Sequence, residues 1–261
     1  MTAEDKLFGT MPVIGLGTWE MTGSTCIRGV GSALNLGYRH IDTAQIYGNE
    51  REVGKGIMES GVSRVEIFIT TKVATFNLTP AGIRRTVPES LEKLGTHYVD
   101  LLLIHWPTRS MVLEDCLETM FVLKENGLVR NVGVSNFDPE LFKKALEIGP
   151  VLTNQLKFTP YHKESENLAI AKSRDKIITA YSPLARGGIV NDRILGKIGS
   201  KYGKSAPQVA LHWLIQLGNV AVIPKASGER HQKENMDIFD FELTTDELES
   251  IKKMSWRLGV A

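Results

Sequence analysis

Two cysteines in 261 residues, Cys26 and Cys116, are too few for a disulfide framework or a cysteine-built zinc cluster, and no metal site is expected. Excess charge is also missing: 31 Lys+Arg stand against 30 Asp+Glu, a formal net charge of +1. That balance supplies no broad attraction to nucleic acid or to anionic membrane, so neither is expected as a partner. No apolar run approaches the ~20 residues needed to cross a bilayer. Met1-Thr2-Ala3-Glu4-Asp5-Lys6 holds no apolar stretch of the kind a secretory signal requires, which makes the cytoplasm the expected location. Linkers rich in Pro, Gly or Ser, internal repeats and low-complexity tracts are absent too. One domain over residues 1–261 is therefore expected. What remains is ordinary globular composition, 42% hydrophobic and 23% charged.

Eight short, β-branched runs recur along the chain: Val13–Leu16, Arg39–Asp42, Ile67–Thr70, Val99–Ile104, Val129–Val134, Val151–Gln155, Ile177–Ala180 and Val220–Ile223. Several show little polar alternation, as strands of a parallel sheet buried on both faces do. Helix-like stretches lie between them. Thr79-Pro80 and Asp138-Pro139 read as an N-cap followed by proline at the first helical position. Ala206-Pro207-Gln208 and Thr244-Thr245-Asp246-Glu247 open two more, and Cys26 and Cys116 fall in helices as buried packing residues. Pro88 lies inside the segment that starts at Thr79, where a kink or break is expected. Eight strand–helix units in about 250 residues suit a (β/α)8 barrel, with a doubly wound open sheet as the rival.

A barrel places its chemistry at the C-terminal ends of its strands. Asp42 ends the second run with Tyr47 five residues on, Lys72 ends the third and His105 ends the fourth. Singly, each has an ordinary structural role: a cap, a lysine snorkelling to solvent, a packed tyrosine, a hydrogen-bonded histidine. Together they would meet at one mouth, where Asp42 is the natural partner for a buried Lys72. A free tyrosine has a pKa of ~10. A lysine ammonium within hydrogen-bond reach is expected to lower it, while His105 would bind and orient a substrate oxygen. The set suits proton donation to a carbonyl.

Gly37-Tyr38-Arg39-His40-Ile41-Asp42-Thr43-Ala44, with Tyr47 and Glu50, resembles the first signature of the aldo-keto reductase family. Asp100–Pro107 resembles the segment that carries that family's catalytic histidine, and Gly133–Phe137 and Ile223-Pro224-Lys225 match further family patterns. The resemblance runs in order from Val13 to Asn235. It implies a (β/α)8 barrel that reversibly reduces aldehydes or ketones with a nicotinamide cofactor, Tyr47 acting as general acid, Lys72 and Asp42 as its tuning pair, and His105 as the carbonyl orienter. It also implies that Ser135, Asn136 and Gln155 hold the nicotinamide amide while the ring stacks on Tyr181.

The turn after the seventh strand, Ser182-Pro183-Leu184-Ala185-Arg186-Gly187-Gly188, and the segment Lys225–His231 after the eighth are suited to phosphate. Ser182, Leu184, Lys225, Ser227, Arg230 and Asn235 complete the expected cofactor set. Family members that hold a 2′-phosphate commonly carry arginine where His231 stands, with Arg230 one place earlier here; NADPH is expected, with NADH the alternative. Trp19, Phe76 and Trp106 are placed to wall a substrate pocket. The segments after Trp106 and Tyr181, and the end beyond Trp256, are short for the family, which implies an open pocket and broad activity on aldehydes. The expected partner is a small carbonyl compound, and the expected state is a monomer. Two other readings stand beside this one. A nicotinamide-binding sensor barrel with little turnover would not need the intact Asp42/Tyr47/Lys72/His105 set. A barrel isomerase for a phosphorylated sugar would explain the phosphate loops but not Tyr181 or the Ser135/Asn136 pair.

Overall fold

A computed structural model describes residues 7–9, 11–162 and 166–256; the chain end beyond Trp256 and the Met1–Lys6 segment lie outside the described residues. Eight parallel strands follow one another around the sheet in chain order: β3 (Leu16–Gly17), β4 (His40–Asp42), β5 (Phe68–Val73), β6 (Val99–Ile104), β7 (Val129–Ser135), β8 (Val151–Lys157), β9 (Ile177–Tyr181) and β10 (Val220–Ile223). The last strand meets the first. Ile14 bridges Val222 in parallel, the Gly15 amide donates to the Val222 carbonyl at 2.9 Å, and the Gly17 amide reaches the Pro224 carbonyl at 3.1 Å. Gly17 is required at this seam, because a Cβ there would stand 2.7 Å from the Ile223 carbonyl oxygen. The closed ring settles the architecture as a barrel and overturns the open doubly wound sheet. The first run pairs more sparsely than expected: regular pairing is confined to Leu16–Gly17, with Ile14 as an isolated bridge.

Helices lie between successive strands: α1 (Gly23–Asn35), α2 (Glu50–Ser60), α3 (Pro80–Leu94), α4 (Leu113–Glu125), α5 (Pro139–Ile148) and α6 (Glu166–Ser173). Then come α7 (Arg193–Gly199), α8 (Ala206–Gln216), α9 (Glu229–Met236) and α10 (Thr245–Lys252). The helix starts expected at Thr79, Asp138 and Thr244 form as caps, and Ser205, which the sequence did not single out, supplies another. Thr79 accepts from the Gly82 amide and Asp138 from the Leu141 amide, while Ser205 and Thr244 each build a reciprocal capping box. Pro88 does not break α3, which runs unbroken from Pro80 to Leu94. The Thr79 cap, the left-handed Gly95 stop and burial of Ile83, Val87, Leu91 and Leu94 on one face outweigh the single lost backbone bond.

The period of two along each strand sorts side chains into layers inside the barrel. Phe68, Leu101, Leu103, Ile177 and Ala221 fill the N-terminal end together with Met11, which comes from an antiparallel hairpin of β1 (Leu7–Phe8) and β2 (Met11–Pro12). A polar layer follows, His40 Nε2 at 3.0 Å from Thr70 Oγ1 and Thr153 Oγ1 at 2.9 Å from Thr179 Oγ1. Two residues further along the same strands stand Asp42, Lys72 and Gln155. The alternate positions, such as Leu102, Ile104, Val132 and Val134, face the helices.

Candidate active site

Four side chains meet at the C-terminal mouth. Asp42 is the last residue of β4, Lys72 lies near the end of β5, His105 follows β6, and Tyr47 ends a single 3₁₀ turn, Gln45–Tyr47. Lys72 is fully buried, and its three ammonium protons have three acceptors: Asp42 Oδ1 at 2.5 Å, the Thr43 carbonyl at 2.8 Å and Tyr47 Oη at 3.4 Å. The turn carrying Tyr47 is tied down on both sides. Gln45 Oε1 accepts from the Ala74 amide at 2.9 Å, and buried Asn49 donates to the Thr18 and Met21 carbonyls while accepting from Thr43 Oγ1. The Tyr47 ring sits between two others in edge-on contact, Trp19 at 4.9 Å and His105 at 5.6 Å between centroids.

Burial pushes the Lys72 ammonium downward, but the Asp42 charge and the Tyr47 oxygen outweigh it and leave Lys72 above its ordinary value. Burial also raises the Tyr47 phenol; the Lys72 ammonium pulls it down, the Asp42 charge pushes it up, and the net direction is upward. This corrects the expectation of a lowered phenol: the ammonium acts in the expected sense, and burial with the nearby carboxylate exceeds it. Tyr47 therefore holds its proton at neutral pH. Burial and then the Lys72 charge hold His105 down at about 3. Its imidazole is neutral, with one N–H to give.

A second network joins this mouth to β7, β8 and β9. Ser135 Oγ donates to the Gln155 carbonyl at 2.9 Å, and Asn136 Nδ2 donates to Ser135 Oγ at 2.9 Å and to the His105 carbonyl at 3.0 Å. Tyr181 Oη donates to Asn136 Oδ1 at 2.9 Å. Asn136 stands at φ +62°, a left-handed conformation that asparagine tolerates better than most residues. The structure thus brings Ser135, Asn136, Gln155 and Tyr181 into one cluster, bonded through Asn136 to the backbone of His105.

The sequence profile of the Aldo/keto reductase family matches residues 8–255. The chain belongs to that family. Among similar proteins, the 9,11-endoperoxide prostaglandin H2 reductase of Trypanosoma cruzi is 40% identical over 94% of this chain and 88% of its own. The methylglyoxal reductase of Escherichia coli O157:H7 is 38% identical over 92% of each chain. Among solved structures, the Bombyx mori aldo-keto reductase in complex with NADP superposes with a TM-score of 0.86 at 33% identity, covering 94% of this chain and 89% of that one. This aldo-keto reductase is accordingly an oxidoreductase, and the sensor and isomerase readings lose their footing.

The rim of the reductase carries the remaining expected residues. The loop after β9 holds Ser182, Ala185 and Arg186 at φ +48°, +50° and +53°. Three left-handed non-glycine residues in five positions mark a loop whose shape the surroundings enforce. Leu184 is half-buried there, packed on the core. Across the seam, Lys225 lies 3.4 Å from Glu20, a partner the sequence did not announce. Ser227 and Arg230 are exposed around the start of α9, where Arg230 Nη2 is 2.9 Å from His231 Nε2. Asn235 is buried instead, against the Tyr38 hydroxyl. Trp19 and Trp106 are about half exposed and Phe76 is 77% exposed.

Sequence reasoning missed two supports. Asn49 looks like a turn residue before a helix, and only its two backbone acceptors reveal that it fixes the Tyr47 turn. Gln155 was placed with the cofactor, yet its amide reaches Asp42. The alternation of Thr153 and Gln155 toward the barrel interior was the available signal.

Proposed function

We propose that this reductase converts aldehydes or ketones to alcohols with a reduced nicotinamide nucleotide, Tyr47 delivering the proton. One observation carries the reading: a half-buried phenol within 3.4 Å of a lysine ammonium that a carboxylate holds, with the His105 ring against its edge. His105 gives an N–H to the substrate oxygen and sets its angle; Tyr47 gives the proton as negative charge grows there; Lys72, kept charged by Asp42, steadies the phenolate that results. Trp19, which packs on the Tyr47 ring, would wall an open pocket together with exposed Phe76 and Trp106, suited to small aldehydes of varied shape.

The residues present fit a nicotinamide nucleotide. Gln155 Oε1 has no hydrogen-bond partner among the described residues and is free to accept from an amide, and Ser135 Oγ keeps an unused lone pair. The Tyr181 ring is half-buried with its hydroxyl anchored, a platform for a flat ring. Ser182, Leu184, Lys225, Ser227, Arg230 and Asn235 would take the phosphates and the rest of the nucleotide. Bound there, the reduced nicotinamide supplies the hydride. The relative solved with NADP supports the assignment, and Arg230 beside Lys225 and Ser227 favours the 2′-phosphate form, NADPH over NADH.

Loss of reduced-nicotinamide absorbance with an aromatic aldehyde, NADPH and NADH side by side, tests the proposal. Turnover with a lower KM for NADPH is expected. Tight nucleotide binding without turnover on a panel of aldehydes and ketones would refute it.

A further inference from the structure

Gln155 lies on β8, four strands from β4 in an eight-stranded ring, so its side chain spans the barrel to reach Asp42. Its Nε2 donates to Asp42 Oδ2 at 2.7 Å, and both side chains are 2% exposed. A carboxylate only accepts, which fixes the orientation of the amide: nitrogen on Asp42, oxygen toward the mouth. The backbone of Gln155 is fixed as well, its carbonyl accepting from Ser135 Oγ and the Asn136 amide, both at 2.9 Å. Asp42 therefore has one oxygen on Lys72 and the other on Gln155, and it cannot rotate without losing a charge-assisted bond.

We infer that Gln155 is a positioning residue for proton delivery: a single amide joins the nicotinamide end of the mouth to the carboxylate that holds Lys72 against Tyr47. The nucleotide half of this statement rests on the reductase reading; the link from Gln155 to Asp42 does not. An amide acting only as a nucleotide ligand would have no need of Asp42. Here the group that meets the nucleotide also stiffens the acid's support, so seating the nucleotide and orienting the acid are one event.

Two substitutions test it. Gln155→Met keeps the length and removes the donor; at saturating NADPH it is expected to lower kcat about tenfold, the size of one lost charge-assisted bond, with little change in aldehyde KM. Gln155→Glu places a carboxyl opposite Asp42. Protonated, it donates to Oδ2 as the amide does; ionised, it repels the carboxylate. A new ionisation in kcat is expected, absent from wild type, with activity kept at low pH and lost as pH rises. An activity-free readout follows from the same sign. The introduced carboxyl titrates higher in the folded protein than in the unfolded one, so its stability is present at low pH and lost on raising pH. In nucleotide-free protein the gap in Tm between wild type and Gln155→Glu should widen from pH 5 to pH 8. A Gln155→Met variant that weakens NADPH binding but keeps kcat would overturn the inference, as would a Tm gap independent of pH. Wild type that turns over no carbonyl compound would sink the reductase reading alone, because the Tm titration still decides the Gln155–Asp42 link.

Discussion

Asp42→Asn removes the carboxylate partner of a fully buried ammonium. Lys72 has no exposed surface and lies 2.5 Å from Asp42 Oδ1. At an effective dielectric near 20 such a pair attracts by roughly 7 kcal/mol, offset by several kcal/mol of desolvation for each ion. Removing one partner leaves the desolvation of the other uncompensated, which costs about 3–5 kcal/mol. The substitution is not isosteric in hydrogen bonding. An amide can turn its one oxygen toward Lys72 or toward the Gln155 N–H, and its own NH2 then confronts the other donor. Lys72 titrates above its ordinary value, so its contribution is complete below ~10.4 and is lost only as pH rises past the folded value; at pH 7 its ammonium is fully charged. Urea unfolding of wild type, Asp42→Asn, Lys72→Met and the double variant, followed by circular dichroism at pH 7, measures the effect. Each single change is expected to cost about 3–5 kcal/mol and the double change clearly less than their sum. A cost below about 1 kcal/mol for Asp42→Asn, as exposed pairs give, or strict additivity, would refute the reasoning.

His40 and His105 are held down at about 4 and about 3, in both cases mainly by burial. Depressed values mean that the unfolded chain binds the extra protons, so stability is full above ~6.5 and is lost as pH falls, by up to about 2.7 kcal/mol per pH unit for the two groups. His40→Gln should remove about half that slope, and a wild type equally stable at pH 7 and pH 5 would contradict it. Glu20→Gln should free the exposed Lys225 and tighten NADPH binding about two- to fivefold at low salt, an effect that fades as salt rises; weaker binding, read by fluorescence quenching, would show that Glu20 supports the site instead. Gly17→Ala drives a Cβ toward the Ile223 carbonyl at the seam and should cost about 1–3 kcal/mol in urea unfolding. A neutral result would mean the seam closes with more room than the geometry allows.

Much of the scaffold was legible because strand and helix periods are local properties. Val99–Ile104 and Val220–Ile223 match the observed β6 and β10 to the residue, and the caps at Thr79 and Asp138 form as their hydroxyl and carboxylate require. Pro88 misleads because tertiary burial of one helix face outweighs a local cost. The four-residue constellation was legible for a topological reason: strand ends of a parallel barrel must converge, so Asp42, Lys72 and His105 had nowhere else to go. The sign of the Tyr47 shift was not, since the contest between ammonium, carboxylate and burial depends on distances that no spacing encodes. Contacts between distant elements, Gln155 with Asp42 and Glu20 with Lys225, were equally hidden, each requiring the barrel to be closed first.

Tyr47→Phe is the most direct test of the account, because it deletes one oxygen and leaves the ring between Trp19 and His105. The account predicts NADPH affinity unchanged within about twofold and aldehyde reduction slowed by about 10²–10⁴-fold, the usual worth of a positioned acid. Reduction within tenfold of wild type would contradict it, and would mean that the proton comes from some group other than the phenol that Lys72 and Asp42 hold in place.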